Sequence, residues 1–189
     1  MRLILILLII VVLLVSGCAQ QSVNIQTTTQ TPQVTDVLMP LKLTSPEFEN
    51  NSKIPSKFTC DGQNTNPPLK ISGTHPAAKS LVLIVDDPDA VKPAGKVWDH
   101  WVLWNIDPTI KEIKENSVPS GSVQGKNGSG KSQYQGPCPP DAEHRYFFKL
   151  YALGTTLNLK EGSTKSDVEN AMNGHILEKA ELIGKYERV

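Results

Sequence analysis

The chain has 189 residues, 39% of them hydrophobic and 20% charged, with 19 Lys and Arg against 19 Asp and Glu. That balance leaves no basic excess of the kind that holds nucleic acid or an anionic membrane surface, and excludes those partners as a first reading. The length allows one domain with a single core once the N-terminal segment is set aside.

That segment opens with Met1-Arg2 and an unbroken apolar run from Leu3 to Val15. The run is shorter than the roughly 20 residues of a membrane span and has the length of a signal-peptide core. It ends in Val15-Ser16-Gly17-Cys18, small residues directly before a cysteine, which resembles a prokaryotic lipobox. On this reading residues 1–17 are a lipoprotein signal peptide, and Cys18 is lipidated on sulfur as the new N-terminus. The rest then lies outside the cytoplasm, anchored to the cell membrane. An uncleaved N-terminal anchor helix is the competing reading. Residues 18–37, rich in Gln, Thr, Ser and Asn, are expected as a flexible, solvated tether to a domain spanning 38–189. Cys60 and Cys138 then remain, an even count in an oxidising compartment, and both a bridge and two separate thiols stay open.

Within the domain the pattern is mostly β. Leu41-Lys42-Leu43 alternates and stops at Ser45-Pro46, Lys57-Phe58-Thr59 precedes the turn Cys60-Asp61-Gly62, and prolines extend Pro67-Pro68-Leu69. Ser80 to Val85 is an apolar run without alternation, expected as a strand covered on both faces, and ends in Asp86-Asp87-Pro88-Asp89. Trp98-Asp99-His100 leads into Trp101-Val102-Leu103-Trp104, which closes at Asp107-Pro108. Ile110 to Val118 is short and charged, and Gly121 to Gly136 is rich in Gly, Ser and Asn with almost no core residues. Pro137, Pro139 and Pro140 then make a stiff loop, and Tyr146 to Leu153 reads as another strand buried on both faces. Ser166 with Glu169 forms a capping pattern ahead of Val168, Ala171 and Met172, and Gly174 stops the helix. His175 to Ala180 reads as a further helical turn, and Ile183 to Val189 as a short strand or tail.

Gly125-Lys126-Asn127-Gly128-Ser129-Gly130-Lys131-Ser132 matches the phosphate-cradling pattern GxxxxGK[ST]. That chemistry needs a core strand before the loop and a helix after it; neither is readable here, so the segment is expected as a flexible surface loop. No GxSxG, CxxC or HExxH spacing occurs. A zinc site from Asp87, Asp89, His100 and His144 has no ligand spacing behind it, and imidazoles bonded to carboxylates are the better reading. No metal and no cofactor are expected. What stands out are polar groups at strand ends: Asp87 and Asp89 after the Ser80 strand, His100 before the Trp101 strand, His144 and Tyr146 at the last of the three. Asp-Pro-Asp alone would serve as a turn, and Trp98 and Trp101 as core. Together, two imidazoles, two carboxylates and a phenol at one mouth of a sheet suit a small anion such as phosphate.

Across CDGQNTNPPL, LVLIVDDPDA, WDHWVLWNI, GPCPP, HRYFFKLYAL and GHILEKAELIGKYER, the chain resembles the phosphatidylethanolamine-binding protein (PEBP) family, in its prokaryotic Raf-kinase-inhibitor-like branch. The resemblance runs from about Met39 to the end. It implies a mainly β fold of two antiparallel sheets with short helices near the C-terminus, and a cavity that accepts phosphate-like or carboxylate anions. Carried over by motif, the pocket holds Asp87, His100, His144 and Tyr146, with Trp98 and the Gly136-Pro137 loop as walls. Two departures from eukaryotic members, Asp99 where they tend to carry a second His and a chain that stops at Val189 where they tend to end in a helix near the pocket, count against phospholipid-head-group specificity and kinase regulation alike. The expected function is non-enzymatic anion binding. The alternative is inhibition of secreted serine proteases through the loop Ser120 to Gln135, an activity implied for some relatives. A hydrolase using the His/Asp set is weaker, since no nucleophile is evident.

Overall fold

The computed structural model describes residues 39–188. The expected signal peptide, the lipidation candidate Cys18 and the tether lie outside the described residues. In chain order, β1 (Lys42–Thr44) and β2 (Ser52–Lys53) precede a 3-10 turn (Ser56–Phe58) and β3 (Leu69–Ser72). Then come β4 (Ser80–Asp87), the short helix α1 (Val91–Ala94), β5 (Trp98–Ile106), β6 (Glu112–Ile113) and β7 (Val123–Gln124). The described chain closes with β8 (His144–Leu153), α2 (Lys165–Met172) and β9 (Ile176–Tyr186).

Two sheets form, with strand orders β1-β3-β6 and β2-β9-β8-β4-β5-β7. The mainly β, two-sheet architecture is the one expected. Every pairing is antiparallel except the short β2–β9 contact, which is parallel. Of the two helices only α2 lies near the C-terminus; α1 follows the DPDA turn.

The side-chain period of two explains how β4 becomes the centre. All eight of its residues are buried. Leu81, Leu83 and Val85 enter the main core, between the sheets, with Leu43, Leu69, Ile71 and Ile113 of the small sheet. Val82 and Ile84 enter a second core with Val102, Trp104, Leu153 and the α2 residues Val168 and Met172. Each fully buried Leu, Val or Phe contributes about 1.5–3 kcal/mol, so these long central strands, not the two-residue edge strands, carry the stability.

Four expectations need correcting. β8 is covered on both faces only toward its C-terminal end: Tyr146, Phe148 and Leu150 are buried, but Arg145 is exposed and Phe147 and Lys149 are half-buried. The α2 cap sits two residues earlier than the Ser166 pattern suggests. Thr164 Oγ1 accepts from the Asp167 amide at 3.2 Å, and Asp167 Oδ2 accepts from the Thr164 amide at 2.8 Å, the same capping chemistry on a neighbouring pair. The helical turn expected over His175–Ala180 is strand from Ile176 onward. Its helix-favouring residues are overridden because β9 pairs with β8 from Leu153 back to His144, placing Leu182 and Tyr186 in the main core.

The Gly121–Gly136 loop, finally, is pinned. Tyr134 is buried in the main core and donates its hydroxyl to Phe58 O at 2.9 Å. Buried Asn127 accepts at Oδ1 from the amides of Ser129 and Lys131, both at 3.0 Å, and Gly128 N donates to Asp99 O at 2.7 Å. No helix follows the GKS of this loop, so it lacks the form a phosphate-cradling loop requires.

Candidate binding cavity at the ends of β4, β5 and β8

β5 and β8 flank β4 antiparallel, so both begin where β4 ends. The DPDA turn, WDH and HRY are therefore brought to one edge of the large sheet. A β-bulge sharpens the convergence: Val85 pairs with Trp101 and Asp86 with Asp99, leaving His100 as the extra residue of β5. The bulge puts His100 and Trp101 together on the Val85 and Asp87 side, while Asp99 turns to the opposite face with Asp86. A strictly alternating β5 would have sent His100 to the face away from Trp101.

The cavity there measures about 330 Å³. Asp87, His100 and His144 line it, with Trp98, Pro139 and Pro140 among its walls. His100 is clamped to the Gln135 backbone: its Nδ1 lies 2.6 Å from Gln135 O, and its own carbonyl accepts from Gln135 N at 2.9 Å. A carbonyl only accepts, so Nδ1 carries the hydrogen and the neutral ring keeps its lone pair at Nε2. Burial pushes the His100 pKa below its ordinary value, against the opposing pull of that carbonyl and of Asp87.

His144 is arranged in the opposite sense. Its Nδ1 lies 2.7 Å from Asp87 Oδ2 and its Nε2 2.9 Å from Asp141 Oδ1. An ionised carboxylate only accepts, so this geometry favours the imidazolium, with hydrogen on both ring nitrogens. Burial pulls its pKa down, but Asp87 and Asp141 outweigh burial and hold it above the ordinary value. Asp87 is itself fixed, accepting at Oδ1 from the Ala90 amide at 3.1 Å.

The remaining sequence candidates stand behind or beside the cavity. Asp89 faces away from it and accepts at Oδ2 from the Arg145 amide and Nε, both at 2.9 Å, tying the DPDA turn to β8. The Arg145 guanidinium holds its carboxyl below the usual range, against partial burial. Tyr146 is 1% exposed and lies under the two imidazoles, edge-on to His100 at 5.1 Å and stacked with His144 at 6.5 Å. Burial and the Asp87 charge push its hydroxyl pKa up. That hydroxyl has no hydrogen-bond partner among the described residues; the Cys138 backbone lies near it without bonding geometry. Gly136 and Pro137 do not line the cavity as expected; both are buried behind the wall made by Gln135, Cys138, Pro139 and Pro140, with Gly136 N donating to Asn64 Oδ1 at 2.7 Å and Cys60 N to Pro137 O at 3.0 Å. A Cβ at Gly136 would lie 2.5 Å from Phe58 O, so only glycine fits. Cys60 and Cys138 are bridged, with Cα atoms 5.4 Å apart, which anchors the wall to the turn after the 3-10 element.

Two partners were not singled out from the sequence. Asp141, three residues before His144, is found by asking what satisfies the second ring nitrogen. The Gln135 carbonyl has no side-chain signal at all. Among the described residues lining the cavity there is no Ser, Thr or free thiol, since Cys138 is oxidised. The site brings together one imidazole bonded to two carboxylates, a second imidazole and an apolar wall.

A two-sheet β domain with an imidazole-lined cavity at its strand ends is thus the class of protein defined by fold and geometry. The family model for phosphatidylethanolamine-binding protein matches residues 44–187, and the chain belongs to that family. It is 51% identical over 153 residues to a UPF0098 protein of Methanothermobacter thermautotrophicus, covering 78% of this chain and 99% of that one. A PEBP homologue from Chlamydia trachomatis has a solved structure with TM-score 0.75 and 44% identity, over 79% of this chain and 99% of that one. E. coli YbcL, described as a new member of the mammalian PEBP family, gives TM-score 0.74 at 31% identity over 80% and 100% of the two chains.

Proposed function

We propose that this protein is a non-enzymatic binding protein that holds a small phosphate-like or carboxylate anion in the cavity of Asp87, His100 and His144. The observation that carries this reading is the His144 ring, held by buried Asp87 on one nitrogen and by the more exposed Asp141 on the other, a built-in carboxylate partner in a cavity with largely apolar walls. A charge in such surroundings interacts more strongly with an anion than it would in water. His100 adds an Nε2 lone pair that accepts from a P–OH or carboxylic acid, or donates once protonated. We further propose that Cys18 carries lipid and tethers the domain outside the cell membrane, on the strength of the Ser16-Gly17-Cys18 pattern. Radiolabelled fatty acid should enter the wild type and not Cys18→Ser; label in both removes the tether from the reading.

Calorimetry with phosphate and phosphorylethanolamine tests the cavity. His144→Ala should bind at least about tenfold more weakly, the loss of one charge-assisted hydrogen bond. Equal binding by wild type and His144→Ala rejects the assignment.

Inhibition of secreted serine proteases is the second reading, supported by the pinned loop around Asn127. Exposed Lys131 follows Gly130 on a backbone held by Asn127 Oδ1, a stiff presentation that suits capture by a protease with an acidic specificity pocket. Inhibition that survives His144→Ala and disappears with Lys131→Ala would favour it.

A further inference from the structure

Resting on the anion-binding reading, we propose that Asp141 is a displaceable internal competitor of the ligand. Its carboxylate occupies the one His144 N–H that an incoming anion can reach, and leaves for the neighbouring cleft beside Arg188 when the anion arrives.

The two His144 bonds differ in accessibility. On the Nδ1 side, the His144 and Asp87 side chains are each 4% exposed, and Asp87 is additionally held by the Ala90 amide. On the Nε2 side, the Asp141 side chain is 40% exposed and makes no other side-chain hydrogen bond among the described residues. Asp141 sits in the short loop between Pro140 and the start of β8, where a side-chain rotation moves the carboxylate without disturbing a strand. An anion that meets His144 through a hydrogen bond must therefore displace Asp141, since an imidazolium has two N–H groups and Asp87 keeps the other.

The displaced carboxylate has somewhere to go. Asp141 does not line the 330 Å³ cavity itself; it borders an adjoining cleft of about 190 Å³ that shares Pro139 and Pro140 with it, and Glu187 and Arg188 stand in the same cleft. The Arg188 guanidinium is 53% exposed and, among the described residues, bound only to Asp61, at 3.2 Å, which leaves N–H groups for a second carboxylate. The other charges around His144 are already matched: Asp89 by Arg145, and Glu143 by Lys185 at 3.7 Å. Glu187 opposes the displaced position and Arg188 favours it, so both positions of Asp141 are furnished with a partner. A side chain with two such places is the kind of element a ligand can bias.

With Asp141 in place the His144 imidazolium faces two carboxylates, a net negative cluster; with Asp141 displaced, the Asp87–His144 pair is balanced and the anion takes the place of the second carboxylate. The arrangement makes affinity a competition between the Asp141 carboxylate and the incoming anion for one N–H group. Calorimetry with inorganic phosphate near about pH 6 compares wild type, Asp141→Ala and His144→Ala, while NMR follows the His144 ring nitrogens without ligand. Removing the competitor should tighten phosphate binding about tenfold, the value of one partly exposed charge-assisted bond. It should also let His144 lose its proton at lower pH. Arg188→Gln should weaken phosphate binding about two- to threefold in the wild type and leave Asp141→Ala unchanged.

Phosphate binding by the wild type that is unchanged or weaker in Asp141→Ala overturns the competitor while leaving the anion reading intact. Identical titration of His144 in both proteins overturns the competitor as well. An equal effect of Arg188→Gln in both backgrounds overturns the displaced position. Absence of phosphate binding in wild type and Asp141→Ala alike overturns competitor and anion reading together.

Discussion

Asp86 of β4 and Asp99 of β5 lie directly opposite one another across the strand pair, two carboxylates in a position where like charges repel. Lys165, at the first turn of α2, sits between them, 2.6 Å from Asp86 Oδ2 and 3.5 Å from Asp99 Oδ1. Lys149 adds a second cation, 2.8 Å from Asp86 Oδ1 although its donating geometry is met at Oδ2, at 2.9 Å. Burial raises the Asp99 pKa; Lys165 pulls it back and Asp86 pushes it up again. Asp86 is 1% exposed, so this network closes the face of β4 opposite the cavity.

Lys165→Met should accordingly destabilise the fold by about 2–3 kcal/mol, less than the 3–5 kcal/mol of a fully broken buried pair because Lys149 remains. Urea denaturation measures it. Adding Asp86→Asn to that variant should recover much of the loss; if the double variant is less stable than Lys165→Met alone, the repulsion argument is wrong.

The bond between Asp87 and His144 predicts a pH dependence. The folded pKa of His144 is raised above its unfolded value near about 6.5. The stability it contributes is fully present below that unfolded value and is lost as pH rises through the folded pKa. His100 acts in reverse, since its folded pKa is lowered: its contribution is present above the unfolded value and lost as pH falls through the folded one. Thermal midpoints measured from acid to mildly alkaline pH should fall on the alkaline side in the wild type, and that slope should flatten in His144→Gln. An identical alkaline slope in both proteins would count against the imidazolium.

Tyr146→Phe tests the buried hydroxyl. A buried hydroxyl without a partner costs about 1–3 kcal/mol, so removing it should leave stability unchanged or slightly raised. Anion affinity should change little in the same variant, since the hydroxyl is sealed off from the cavity. A clear loss of stability would show the hydroxyl bonded within the fold itself.

Replacing Cys60 and Cys138 by Ser opens a loop whose ends are 78 residues apart in sequence. The chain-entropy account puts the cost at about 4–5 kcal/mol, and chemical denaturation of oxidised and reduced protein reads it directly. Because the bridge anchors the proline wall, anion affinity should fall as well. Unchanged affinity in the reduced protein would separate the wall from the site.

The sequence by itself determined the parts of this protein that are local. The runs Leu81–Val85 and Trp101–Trp104 are strands because uninterrupted apolar residues need cover on both faces, and they received it. The polar groups at their ends were legible because charged and imidazole side chains interrupt those runs abruptly, and Asp87, Trp98, His100 and His144 do line one cavity. The tertiary structure decided what depends on register. The bulge that turns His100 beside Trp101, the pairing that draws Asp89 to Arg145, and the ladder that makes β9 a strand all depend on which residue faces which across strands far apart in the chain. Cross-strand pairing is nonlocal, and a shift of one residue reverses every side chain. The same is true of the ring nitrogens. That His144 stands between Asp87 and Asp141, while His100 gives its Nδ1 hydrogen to the Gln135 carbonyl, is a matter of three strand ends and one proline-rich loop meeting in space.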